Sequence, residues 1–143
     1  MSASPVQKIR TADDLKSAPD KVLISTLNDR YTKLNEVWAD AEADLKQFPI
    51  PHYVEVIADD HDSWCSYLGF VKVKGAWRIC WGSLHQQDPE QDYGWTPVGE
   101  CTLDVRLKAV QHFVPLREKV RTAAEKTVAE VDDAISTLQL HLI

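Results

Sequence analysis

The segment WCSYLGFVKVKGAWRICWGSL, residues 64–84, decides the fold, because it has the pattern of two strands around a tight turn. Residues 64–73 and 76–84 are rich in aromatic and β-branched side chains, which favour pleated strands. Lys74-Gly75 separates them, and glycine permits the positive φ that a two-residue hairpin turn needs. We therefore predict an antiparallel hairpin in which Val73 faces Ala76 and each further pair lies one residue outward.

That register sorts the hairpin side chains onto two faces. The predicted core face carries Leu68, Phe70, Lys72, Trp77, Ile79 and Trp81, and the other, mixed face carries Cys65, Tyr67, Gly69, Val71, Arg78, Cys80, Gly82 and Leu84. Cys65 and Cys80 then lie roughly 13 Å apart at about 3.3 Å per residue. A disulfide needs Cα atoms within about 7 Å, so we expect both thiols to be free.

Helices are expected both before and after the hairpin in the sequence. Thr11 and Asp14 have the spacing of a capping box that opens one short turn, and Ser17 with Asp20 have the same spacing before a long helix that Pro49 ends. Apolar residues recur at steps of three and four along that helix, and we call them the N-terminal stripe: Ile24, Leu27, Tyr31, Leu34, Trp38, Ala41, Leu45 and Phe48. Such spacing places them on one side of the helix.

The end of the chain repeats the pattern. Thr102 is expected to cap a helix carrying Leu103, Leu107, Val110 and Val114, and Pro115 is expected to end or kink it. The last helix, from about residue 116 to 140, carries the C-terminal stripe: Val128, Val131, Ile135, Leu138 and Leu142. We expect both stripes to be buried within one core.

Together these elements predict an α+β fold. An antiparallel meander of three to four strands would pack against the long N-terminal helix and a kinked C-terminal helical pair. The first strand is placed at residues 52–58, and a fourth falls within residues 94–101. We expect a single domain over residues 1–143, with residues 1–10 flexible or loosely packed.

Composition narrows the classes of function. The net charge is −6 and no basic cluster stands apart from acids, which disfavours nucleic-acid binding. No apolar stretch approaches the roughly 20 residues that span a bilayer, and the first residues lack the apolar core of a secretion signal, so we expect a cytoplasmic protein without membrane contact. Phosphate-binding glycine motifs and HExxH are absent, and we predict neither cofactor nor metal.

Two polar segments contain residue types that could bind a ligand or a metal ion. Residues 59–62, DDHD, contain metal-ligand types, but consecutive residues cannot all face one ion, so we interpret them as a solvated turn. Residues 85–97 form a long polar loop, which supplies His85, Tyr93 and Trp95 as candidate contact residues. Trp95 is either an exposed anchor for a partner or a lid folded back onto the domain.

The leading hypothesis is a non-enzymatic protein-interaction module that self-associates or binds another protein through helical and aromatic surfaces. The alternative is a ligand-binding domain or an undetected enzyme on the mixed face. There Tyr67 and Cys80 lie beside two glycines, and Arg78 would engage a small anionic ligand. Close packing of Tyr67 over Gly82 would fill the same space without any ligand.

Overall fold

The computed structural model describes residues 11–61, 63–85 and 93–142. The first ten residues, predicted to be loosely packed, lie outside the described residues, as do Asp62 of the DDHD segment and residues 86–92 of the polar loop. The chain divides after Trp38 into two compact units. That residues 1–143 form a single domain stays a prediction.

The described elements confirm an α+β fold with long helices and a four-stranded antiparallel sheet in the order β1-β2-β3-β4. The bounds are α1 Ala12–Ser17, α2 Asp20–Leu45, β1 Val54–His61, β2 Trp64–Val73, β3 Ala76–His85, β4 Thr96–Pro97 and α3 Leu103–His141, with a 3-10 turn at Val98–Glu100. Each strand pairs with its neighbour in sequence, so the sheet is the predicted meander.

The central hairpin has the predicted turn and register. Lys74 and Gly75 have φ of 50° and 83°, and positive φ at both positions is the signature of a type I′ turn. Val73 pairs with Ala76, and the ladder continues without a shift to the ends of both strands. Cys65 and Cys80 are free, as the register requires.

The first unit contains α1 and the start of α2. The Thr11 hydroxyl accepts from the Asp14 amide and the Asp14 carboxylate accepts from the Thr11 amide, both at 3.2 Å, which confirms the first capping box. Ser17 does not open α2 as predicted. It ends α1, where its hydroxyl donates to the Asp13 carbonyl oxygen at 3.2 Å.

The predicted pair of C-terminal helices is one continuous helix, α3, of 39 residues with Pro115 inside it. Proline removes one backbone hydrogen bond and crowds the residue four positions earlier, which costs about 3 kcal/mol in a helix interior. Pro115 is exposed, however, so water can satisfy the carbonyl group that it leaves unpaired. Ala109 and Leu116, on either side of Pro115, are fully buried, and their packing holds both halves in one helix.

The core of the second unit lies between the sheet and α3. The largest fully buried side chains include Leu68, Phe70 and Ile79 from the predicted core face and Leu116 and Val120 from α3. The helix lies against β1 and β2. That side of the hairpin is therefore covered by α3, as the sequence analysis expected of a helix.

Side chains from outside the sheet cover parts of its edges. Glu42, near the end of α2, accepts from the Ile79 amide at 3.0 Å and from the Arg78 Nε at 2.7 Å, where the two-residue strand β4 does not reach. At the opposite edge, Lys119 of α3 donates from Nζ to the Glu55 carbonyl oxygen at 2.7 Å. Covering an edge in this way hinders pairing with a foreign strand.

The DDHD segment is not wholly a turn. Asp59 pairs with Ser66 and Asp60 pairs with Cys65, so the first two aspartates of the segment belong to β1. The register shifts between Ile57 and Asp59, which leaves Ala58 as the extra residue of a β-bulge. This bulge adjusts the pairing and lets β1 continue past the predicted end of the strand at residue 58.

Candidate functional site

The mixed face of the sheet holds the indole of Trp95. A Cβ atom added at Gly82 would lie 2.7 Å from the ring, and one added at Gly69 would lie 2.8 Å from it. Both distances are shorter than a van der Waals contact, so only glycine at these positions leaves room for the ring in this position. The two glycines therefore form a slot that is filled by the protein's own tryptophan.

Backbone contacts hold the segment that carries Trp95 in place. The Ser83 amide donates to the Tyr93 carbonyl oxygen at 2.9 Å, which extends the outer edge of β3 beyond its pairing with β4. Gly94 has a φ of 63°, a left-handed conformation that glycine adopts readily. The backbone then reaches β4, where Thr96 pairs with Trp81. The chain thus turns back at Gly94 and lays the Trp95 ring over the sheet.

An aromatic and acidic cluster surrounds this slot. The Tyr93 ring lies 5.2 Å from the Tyr67 ring and 4.9 Å from the Trp95 ring, and its hydroxyl donates to Glu55 Oε1 at 3.4 Å. Glu55 Oε2 is buried without a hydrogen-bond partner among the described residues. Desolvation raises the pKa of the Glu55 carboxyl above 4.5, although Tyr93 and Lys119 oppose the shift.

The two tyrosines have shifted pKa values as well. A hydrogen bond with the Cys65 side chain, followed by desolvation, raises the pKa of Tyr67. Desolvation and the nearby Glu55 charge raise the pKa of Tyr93. Both phenols are therefore held in the neutral form, which can donate a hydrogen bond but cannot act as a base at neutral pH.

The six predicted site residues do not converge on one point. Tyr67, Tyr93 and Trp95 form the cluster just described. Cys80 lies on the same face but is fully buried, and desolvation raises the pKa of its thiol to about 12, so it is not the reactive thiolate that a nucleophile needs. The other two residues, Arg78 and His85, lie elsewhere.

The Arg78 guanidinium forms an ion pair with Glu42 at 2.7 Å, which already supplies it with an anion. His85 packs against Trp64 with ring centroids 5.0 Å apart. His85 pairs with Trp64 across β3 and β2. Successive side chains of a strand point to opposite faces, and both residues are next to mixed-face residues, so they lie on the opposite side of the sheet from Cys80. Glu42 and Glu55 were not among the predicted site residues. They are far from Arg78 and Tyr93 in the sequence, and no motif or spacing indicates that they contact these residues.

A second feature of the second unit is the exposure of α3. The C-terminal stripe was expected to be buried, but its five residues are between 47% and 75% exposed. Leu107, Val110 and Val114 of the same helix are at least 50% exposed. Isolated exposed apolar residues are ordinary, whereas a set on one side of a helix indicates a contact surface.

The two exposed sets belong to one repeat. Because α3 is continuous, the alternating steps of three and four residues can be followed along its whole length. We call the resulting set the α3 stripe: Leu103, Leu107, Val110, Val114, Arg117, Arg121, Ala124, Val128, Val131, Ile135, Leu138 and Leu142. Two arginines interrupt it near the middle. This continuity was not predicted from the sequence, because Pro115 was expected to end or kink the first of two helices.

Comparisons of the chain with protein-family models, with curated proteins and with solved structures find no match. No group of three or more metal-ligating side chains converges among the residues that the structure describes. Within the same described ranges, no helix is long and apolar enough to cross a membrane. A proposal about function therefore rests on the geometry of the chain itself.

Proposed function

We propose that the protein is a protein-interaction module that binds another helix along the α3 stripe. One observation carries the proposal: eight apolar residues at heptad spacing, on both sides of Pro115 in a 39-residue helix, are between 47% and 75% exposed. Heptad spacing matches the side-chain contacts between two long helices, because it returns to one side of the helix every two turns. Full burial of such a side chain contributes about 1.5–3 kcal/mol relative to full exposure, and because these residues are already about half buried, each would contribute about half of that on association.

The charge around the stripe is consistent with a protein partner. Glu118, Glu125 and Asp132 flank the apolar positions, and Arg117 and Arg121 interrupt them. Rim charges of both signs select partners and orientation, while the apolar positions supply affinity. The three free thiols favour the reducing cytoplasm, which we propose as the location of the protein.

Replacement of Ile135 by aspartate tests the proposal. Ile135 lies on the α3 stripe and is 47% exposed, so a charge there should abolish association without disturbing the core. Leu140→Asp is the matched control, because Leu140 belongs to the same helix but lies off the stripe and is 81% exposed. Light scattering of the purified chain would measure self-association, and quantitative recovery of bound proteins from cells that express it would measure other partners.

The proposal predicts that Ile135→Asp removes association in one of these two measurements and that Leu140→Asp leaves it intact. If both variants behave like the natural chain in both measurements, the α3 stripe is not a contact surface and the proposal is wrong. The alternative function, a small-ligand site around Tyr67, Arg78 and Cys80, stays a prediction. It has weaker support, because Trp95 fills the slot between the two glycines and Glu42 holds the arginine.

A further inference from the structure

We propose that the helix bound by α3 is the α3 of a second copy of this chain, aligned antiparallel along its whole length. This inference rests on the proposed function and names its partner. In a symmetric dimer the same surface of both chains is used, so each pairing occurs twice. The question is then whether one alignment of α3 with itself brings suitable residues together.

An alignment centred between Thr122 and Ala123 does so. It opposes four apolar pairs, the second residue of each belonging to the second copy: Leu103 with Leu142, Leu107 with Leu138, Val110 with Ile135, and Val114 with Val131. Both ends of the dimer interface are therefore apolar. The overlap would extend roughly 58 Å at 1.5 Å per residue, which is the full length of α3.

The arginines on the stripe, and Arg121 above all, favour the antiparallel orientation. In the antiparallel alignment Arg117 lies opposite Val128 and Arg121 opposite Ala124 of the second copy. Ala124 is small and is followed by Glu125, so the arginine meets both space and an opposite charge. In a parallel dimer, equal positions would meet, so each arginine would face the same arginine of the second copy, and such like-charge contacts disfavour association.

The interactions of the arginines within one chain are compatible with this arrangement. Arg121 reaches Glu125 of its own helix at 3.4 Å, and both side chains are more than two thirds exposed. Two such pairs, brought together near the dimer axis, would form one network of alternating charges. Arg117 is bound to Asp44 at 2.7 Å and its side chain is 41% exposed, so its own chain already compensates its charge.

Docking would not require any change in the core. The fully buried α3 residues Ala109 and Leu116 lie on a different side of the helix from the stripe, and Val120 borders the stripe at Arg117 and Ala124. A heptad repeat drifts by about 20° per seven residues on a straight helix, so the two copies would coil gently around each other in a left-handed sense.

Cysteine cross-linking separates the alignments. We would introduce Val110→Cys and Ile135→Cys, singly and together, in a chain carrying Cys101→Ser, because Cys65 and Cys80 are buried. Within one chain, positions 110 and 135 lie roughly 38 Å apart along the helix, beyond the reach of a short bismaleimide reagent. We expect covalent dimers from the double variant and none from either single variant. Covalent dimers from the single variants would show a parallel pairing and overturn the inference.

Charge reversal gives an independent test on the same protein. Arg121→Glu should raise the dimer dissociation constant about tenfold or more, and Arg121→Glu with Glu125→Arg should largely restore it. Leu140→Asp should leave it unchanged. A chain that stays monomeric while its α3 stripe retains a different protein would overturn this inference and leave the proposed function standing. A chain in which stripe substitutions change no association at all would overturn both.

Discussion

Replacement of Gly82 by alanine tests the slot that holds Trp95. The added Cβ would lie 2.7–3.0 Å from three atoms of the indole, so the ring has to move or the strands have to separate. Overpacking of this kind costs about 1–3 kcal/mol. Alanine is favoured over glycine in a strand by about 0.5–1 kcal/mol. The free energy of unfolding should therefore fall by about 1 kcal/mol, and by at most about 2.5 kcal/mol.

Urea denaturation followed by far-ultraviolet circular dichroism would measure this loss. Gly99→Ala is the matched control, because a Cβ there would meet no atom within 4 Å. In a chain that already carries Trp95→Ala the obstruction is gone, and Gly82→Ala should become stabilising by about 0.5–1 kcal/mol. If Gly82→Ala is as stable as Gly99→Ala in the natural background, or if its sign does not change without the indole, the account of the slot is wrong.

Three further predictions concern single side chains. Glu42→Gln should lower the free energy of unfolding by about 1–2 kcal/mol, because it weakens charged hydrogen bonds at the edge of β3, whereas the exposed Glu36→Gln should change it by less than about 0.5 kcal/mol in the same urea titration. Because the pKa of Glu55 is raised in the folded chain, its contribution to stability is present below pH 4.5 and is lost as the pH rises through the folded pKa. Glu55→Gln should thus be more stable than the natural chain at neutral pH and should flatten this pH dependence, and an unchanged slope of urea midpoint against pH would contradict the reasoning. Cys80, with its pKa raised to about 12 and no exposed surface, should react with iodoacetamide only on unfolding, whereas mass spectrometry should find the half-buried Cys101 labelled earlier.

The hairpin could be predicted in detail from sequence because its information is local. The turn dipeptide fixes which residues are opposed, and the two-residue period of a strand then fixes the faces. The free state of Cys65 and Cys80 follows from that register alone. The same local logic predicted the Thr11 capping box, since both partners lie within one turn of helix.

The candidate site could be predicted only in part. From the sequence, Gly69 and Gly82 were expected to create space on the mixed face, and a lid folded back onto the domain was one of two interpretations of Trp95. The sequence could not show that these two features meet, because they are separated along the chain and only the path of the polar loop joins them. The hydrogen bond from the Ser83 amide to the Tyr93 carbonyl oxygen fixes the position of the described end of that loop, residues 93–97, and it depends on tertiary structure.

The sequence by itself determined the α+β class, the order of the elements and the pairing of β2 with β3, because these follow from side-chain period and turn chemistry. Tertiary structure decided that α3 continues through Pro115, because buried contacts at Ala109 and Leu116 outweigh the cost of one exposed proline. That continuity joins two apolar sets into the α3 stripe. Tertiary structure also decided that most of the stripe is exposed, since burial depends on which side of a helix the core occupies, and periodicity alone does not specify that side.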